Sequence, residues 1–163
     1  MKKIRFFTAV VIALFVTNNL DAQFKVGGGI AYGTDINNIG ISVNTGYNFT
    51  ENWAAEVDFT YFFKKDYVTY SSLDFDANYI FDFGLYPIAG FNLTFIGVDI
   101  PETDLGDWGT FSGASASSTE FGFNLGAGYN FHLGEAMVLS PEMRYTLGGA
   151  NYFRMGLKLM YQF

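Results

Sequence analysis

Cysteine is absent from all 163 residues of this chain, histidine occurs once, and only 15% of the residues are charged. Without a thiol the fold gains no disulfide in an oxidising compartment, and no acylated cysteine can tether it as a lipoprotein. Any attachment to a membrane must therefore come from the folded chain itself. A helix-length apolar run is missing too. Residues 79–98 come nearest, but Asp82, Gly84, Pro87, Gly90 and Asn92 interrupt them, and a membrane helix tolerates few such residues together. Composition excludes disorder, because half the residues are hydrophobic and Phe and Tyr number 19 and 11.

The chain opens on a targeting pattern. Lys2, Lys3 and Arg5 make a positive start, Phe6 to Val16 is uncharged and largely apolar, and Leu20-Asp21-Ala22 ends on a small residue. This is the order of a secretory signal peptide, and its apolar part is shorter than the roughly 20 residues a spanning helix needs. We expect a cleavable signal peptide over 1–22 and a single domain over 23–163. Cleavage removes three of the nine bases and one of the sixteen acids, leaving six against fifteen. So acidic a chain is a poor partner for nucleic acid.

From Gln23 onward the side chains alternate with a period of two, which marks strands with unlike faces. Eight strands are expected, near 23–33, 39–49, 53–63, 72–83, 85–97, 119–131, 136–147 and 152–163. In the third, Trp53, Ala55, Val57, Phe59, Tyr61 and Phe63 oppose Glu56, Asp58 and Thr60. The last sets Phe153, Met155, Leu157, Leu159, Tyr161 and Phe163 against Arg154, Gly156, Lys158 and Gln162. The first is thinned by Gly27-Gly28-Gly29, and Ile88 breaks the pattern of the fifth.

A soluble sandwich or barrel alternates as well, with its apolar face inward. Here the polar face is narrow, rich in Gly, Asn and Ser, and poor in the long lysines of a solvated surface. The apolar face carries Phe and Tyr at both ends of many strands. That is the inverse of a soluble protein and the pattern of a membrane barrel. A ten-residue strand tilted about 40° spans roughly 25 Å, the height of the apolar band such barrels show to lipid. Turns at Thr50-Glu51-Asn52, near Gly84 and at His132-Leu133-Gly134-Glu135 read as tight, whereas 64–71 and 98–118 read as long loops. Short turns then face the periplasm with both termini, and long loops face outward. The connections 34–38 and 148–151 are short although they fall on the outer side.

These features together resemble the small outer-membrane β-barrel proteins, the OmpA, OmpX and OmpW group, over the whole mature chain. Leu139-Ser140-Pro141-Glu142-Met143-Arg144-Tyr145, followed by a last strand ending in an aromatic, is similar to the final hairpin of many such barrels. The resemblance implies an all-β, eight-stranded antiparallel up-and-down transmembrane barrel in the bacterial outer membrane. It implies outer-membrane lipid and lipopolysaccharide as surroundings, and the barrel-insertion machinery as a partner. Tyr161 and Phe163 match the family's C-terminal insertion signal, but Lys158 stands where a glycine is usual, with Gly156 nearby. The peptidoglycan-binding half of the longer OmpA proteins is expected to be missing, and no cofactor or metal is implied.

The interior of an eight-stranded barrel is just wide enough for side chains to fill. The polar face would place Lys25, Glu56, Asp58, Asp74, Asp76, Glu120, Glu142, Arg144, Arg154 and Lys158 there as an ionic network, because buried charges must pair or be hydrated. In the last hairpin, opposed residues whose numbers sum to 298 would set Arg144 against Arg154, whereas 300 sets Glu142 against Lys158. Charge pairing favours 300, with the arginines reaching Asp74, Asp76 or Glu120.

Three classes of function follow. A closed barrel plugged by its own side chains would be structural, or would bind a surface ligand through loop 98–118. That loop carries Asp99, Glu102, Asp104 and Asp107, at a spacing that fits no EF-hand, and Trp108, which suits the lipid interface. A transporter, either a narrow ion channel or a lateral route for small apolar molecules, is the alternative. An enzyme is not expected: His132 lies in a turn with Ser140 as the nearest serine on the next strand, and no motif joins them. The sequons at Asn48 and Asn92 lie in or against strands and are read as chance.

Overall fold

The computed structural model describes residues 24–104, 110–111 and 113–163. The expected signal peptide, Gln23, Asp107 and Trp108 lie outside the described residues, as does the side chain of Asp104. Five strands follow one another as antiparallel neighbours: β1 (Phe24–Gly33), β2 (Asn38–Asn48), β3 (Trp53–Lys65), β4 (Val68–Tyr79) and β5 (Leu85–Ile100). In the connection after β5, β6 (Thr103–Asp104) and β7 (Thr110–Phe111) pair as a separate two-stranded ribbon. The wall resumes with β8 (Ala114–Tyr129), β9 (Phe131–His132), β10 (Met137–Gly148) and β11 (Tyr152–Gln162). β9 meets β10 in the register that β8 uses, so it continues β8 past Asn130 and the wall has eight strands. β11 then pairs with β1 from Lys25↔Gln162 to Gly33↔Arg154, which closes the barrel and leaves the wall without a first or last edge.

The alternation of the sequence decides which face points where. Phe59, Phe91, Phe123, Leu125, Met143, Leu157 and their neighbours at every second position are exposed on the outside. Asn44, Asp58, Asp74, Asn92, Asn124 and Arg144 on the opposite face are buried within the barrel. The core of the molecule is therefore polar, and its surround is apolar, as in a barrel that sits in lipid. Among the described residues no helix is long and apolar enough to cross a membrane.

The stagger of the strands sets the bore. Partners traced from Gly33 run through Arg154, Arg144, Gly126, Ile88, Asn78 and Ala54 to Asn48 on β2, ten residues beyond Asn38, which Gly33 faces directly. Eight strands with a shear of ten residues tilt about 40° and place the backbone about 8 Å from the axis.

Two expected loops are strand instead. The segment 64–71 is not a long loop: β3 and β4 run on to a two-residue turn at Asp66 and Tyr67, both at positive φ (49° and 66°), the geometry that matches strand twist in tight hairpins. Lys64 and Lys65 end β3, and Asp66 itself is the first residue of the turn. The segment 98–118 is shorter than expected because Ala114 to Thr119 pair with Phe95 to Ile100. Small Ser and Ala side chains read as loop, yet their backbone completes the ladder. β10 ends at Gly148 opposite Gly122, so residues 114–121 of β8 rise above their β10 neighbour.

The register of the last hairpin also differs from expectation. Arg144 lies opposite Arg154, Glu142 opposite Gly156 and Ser140 opposite Lys158, so the sum is 298 and not 300. The turn explains why. Gly149 donates its N–H to Phe121 O (3.0 Å), which ties the turn to β8, and Gly148 donates to Asn151 Oδ1 (2.9 Å), which closes the turn on itself. The two guanidiniums avoid each other by turning to different carboxylates.

Candidate functional site

The site is the barrel interior, built from inward positions of seven strands. Arg144 on β10 stands at its centre. Its Nη2 donates to Glu142 Oε2 at 2.7 Å and to Asp58 Oδ2 at 2.5 Å, its Nη1 donates to Asp76, and Glu56 Oε2 lies 3.8 Å away. Lys158 on β11 donates to Glu56 Oε2 (2.9 Å), Asp58 Oδ2 (2.7 Å) and Glu142 Oε1 (2.8 Å). Glu142 and Lys158 thus touch diagonally, two residues out of direct opposition. Arg154 forms a second cluster nearer the loops, donating to Asp74 Oδ2 (2.7 Å), Ser72 Oγ (2.9 Å) and Thr60 Oγ1 (3.2 Å).

Neutral side chains join the two clusters, and a reading of charges alone missed them. Asn124 Nδ2 donates to both Asp74 Oδ1 (2.8 Å) and Asp76 Oδ1 (3.0 Å). Asn44 Nδ2 donates to Asp58 Oδ1 (2.8 Å), Asn92 Nδ2 to Asp74 Oδ1 (2.6 Å), and the Tyr86 hydroxyl to Glu142 Oε1 (2.7 Å). All occupy the polar face of their strands, so parity alone would have found them. Glycines make the room: a Cβ on Gly128 would collide with the Tyr86 ring, and one on Gly90 with Asp76 Oδ1.

Two expected members stand apart. Glu120, near the loop end, makes no ion pair among the described residues. Lys25, at the opposite end, lies against a cavity and likewise has no ionic partner among them. Between the clustered side chains lies a small cavity of about 20 Å³, lined by Asn44, Asp58, Glu142, Arg144, Arg154 and Lys158. That is room for about one water.

Outside the interior the chemistry is sparse. His132 is exposed on β9, and the Ser140 hydroxyl donates to Asn130 Oδ1 (2.8 Å), not to the histidine. Asp99 of the expected surface loop pairs with Lys64 at 3.8 Å. In the β1–β2 turn, Asp35 Oδ2 accepts the Phe153 N–H (3.0 Å) and the Thr34 hydroxyl (3.0 Å), and these bonds hold its carboxyl below the usual range. The ring at the end carrying Phe24 and Phe163 is strongly aromatic, with Trp53 edge-on to Tyr79 and Tyr161 edge-on to Phe163 at centroid distances of 5.1 and 5.0 Å. Such girdles suit a membrane–water interface.

Solved structures share this architecture. The N-terminal barrel domain of Pseudomonas aeruginosa OprF is 16% identical, covering 88% of this chain and 98% of that one with a TM-score of 0.64. Yersinia pestis Ail, the attachment invasion locus protein solved with the heparin analogue sucrose octasulfate, is 16% identical, covering 88% and 100% with a TM-score of 0.63. A major outer membrane protein of Thermus thermophilus is 12% identical, covering 87% and 99% with a TM-score of 0.70. At these identities the likeness speaks for the fold alone. Among curated proteins none matches the chain. The family model described as the outer membrane protein beta-barrel domain matches residues 7–163, and the chain belongs to that family.

Proposed function

We propose that this protein is a closed barrel of the bacterial outer membrane that acts as a structural element and presents its outer loops to a surface ligand, without enzymatic activity. The observation that carries the reading is the interior: five carboxylates and three cations lie in contact across the lumen, with space for about one water between them. An ion would have to shed its hydration shell and break several buried pairs to pass. In this reading the ends of the chain and the short turns face the periplasm, residues 1–22 are the export signal, Tyr161 and Phe163 address the insertion machinery, and the aromatic outer wall contacts lipid and lipopolysaccharide.

The loop end supplies the interaction surface. It carries Asp35, Asp66, Asp99 and Glu102 against Lys64 and Lys65, a balance that favours neutral or cationic ligands over a polysulfated one such as the analogue bound to Ail. A narrow channel is the second reading. It is favoured by the sharing of carboxylates, since Arg144 and Lys158 both contact Asp58 and Glu142 and can exchange them.

Reconstitution in a planar bilayer separates the two. The plugged barrel gives no regular conductance, whereas reproducible small steps would establish the channel. Replacing residues 101–113 by a short turn should abolish binding to cells while heat-modifiable gel migration, the sign of a folded barrel, persists. Unchanged binding would remove this loop from the interaction surface.

A further inference from the structure

We propose that the end of the barrel carrying Phe24 and Phe163 holds a binding site for a small, singly charged carboxylate of the kind that ends a peptide, with Lys25 as its anchor. The other three interior cations, Arg144, Arg154 and Lys158, each touch at least one carboxylate. Lys25 is only 6% exposed, yet it makes no ion pair or hydrogen bond among the described residues. An ammonium carries three donors and is costly to bury without partners. Lys25 lines a cavity of about 630 Å³ that opens among the short turns, a size that suits a small organic ligand.

The rest of the wall fits the remainder of such a ligand. Asn48, Thr50, Asn52, Asn130 and Gln162 line the same cavity with neutral amides and a hydroxyl. Asn48 Oδ1 is buried and has no hydrogen-bond partner among the described residues. An oxyanion on Lys25 together with an N–H aimed at Asn48 Oδ1 would satisfy both groups, and a carboxylate next to an amide N–H carries this pair of functions.

The charges around the cavity limit the ligand to one negative charge. The clusters behind Lys25 contain five carboxylates, Glu56, Asp58, Asp74, Asp76 and Glu142, against three contacting cations, and Glu56 and Lys158 are the members nearest to it. Exposed Glu51 and Asp82 stand on the rim with His132. A phosphate, with close to two charges at neutral pH, meets more repulsion there than a carboxylate does.

The test uses the isotope-labelled protein in nanodiscs, with N-acetylglycine as the probe and inorganic phosphate and sodium chloride as competitors. Backbone amides of Lys25, Asn48, Asn130 and Gln162 should shift saturably with N-acetylglycine, at least ten-fold more tightly than with phosphate, and Lys25→Gln should abolish the response. A linear response, an equal response to phosphate or chloride, or a saturable response that survives in Lys25→Gln would overturn the site. Should Lys25→Gln fail to fold, Asn48→Ala takes its place. It should weaken N-acetylglycine several-fold and leave acetate unchanged, and an equal effect on both would also overturn the assignment.

Discussion

At the scale of single residues, the interior is held by unequal cations. Arg144 contacts Glu142, Asp58 and Asp76 directly and lies near Glu56, whereas Arg154 has the single carboxylate of Asp74. Removing one partner of a buried ion pair leaves its counter-charges uncompensated, at a cost of about 3–5 kcal/mol. Arg144→Leu should therefore lose roughly that much stability in urea unfolding followed by gel mobility, and Arg154→Leu distinctly less. Equal losses would mean that the carboxylates around Arg144 are neutralised by other means. Asp35 gives a pH-dependent case at the surface. Its folded carboxyl is depressed below the ordinary value of 3.8, first by the Phe153 N–H and then by the Thr34 hydroxyl. The tie from the β1–β2 turn to β11 is therefore fully present above pH 3.8 and is lost as pH falls through the lower folded value. The Phe153 amide resonance should titrate in that acid range and be indifferent to it in Asp35→Asn.

At the scale of elements, the final hairpin shows where charge logic fails. Opposing Arg144 to Arg154 looks unfavourable as a pair, but an arginine reaches several residues away, and both find carboxylates on strands across the lumen. The Gly149 N–H bonded to Phe121 O, and the Gly148 N–H bonded to the Asn151 side chain, hold the turn in this register. Met143 and Met155 then face each other on the outer wall. The bond from Gln162 N–H to Ala136 O marks the even-numbered pairs as hydrogen-bonded, so Met143 and Met155 form a close pair with Cα atoms about 4.5 Å apart. In this cysteine-free chain, Met143→Cys with Met155→Cys should oxidise readily, whereas Met143→Cys with Leu157→Cys should not; the reverse would restore the rejected register. The overhang of β8 is testable too. Asn130 N–H bonds to Gly84 O, so even-numbered residues of β8 face β5. Ser115, Ser117 and Thr119 then point their backbone groups at solvent. Their amides should exchange with deuterium far faster than those of Ala116 and Ser118.

For the whole molecule, the barrel and its inside-out polarity were legible because a period of two separates Phe and Tyr from Asn, Asp and Gly on strand after strand. The charged lining was legible by the same parity. The two misplaced loops were not, since Ser115, Ser117 and Lys64 look alike in a loop or in a strand above the membrane, where no lipid enforces a pattern. Partner choice within the lumen was legible only in part. It depends on the radius and stagger of the wall, which bring Arg144 on β10 to Asp58 on β3, and no local stretch of sequence encodes that distance.

The corrected hairpin register reaches beyond its own two strands. Every step round the wall contributes to one closure condition, so a slip of two residues in this single hairpin, with all others kept, would change the circuit from ten residues to about eight. The wall would stand more upright, its radius would fall from about 8.2 to about 7.6 Å, and the bore would lose about 15% of its cross-section. The side chains that now leave space for one water could not all fit. A local exchange of partners beside one tight bend would thus be felt as a squeeze along the full circumference.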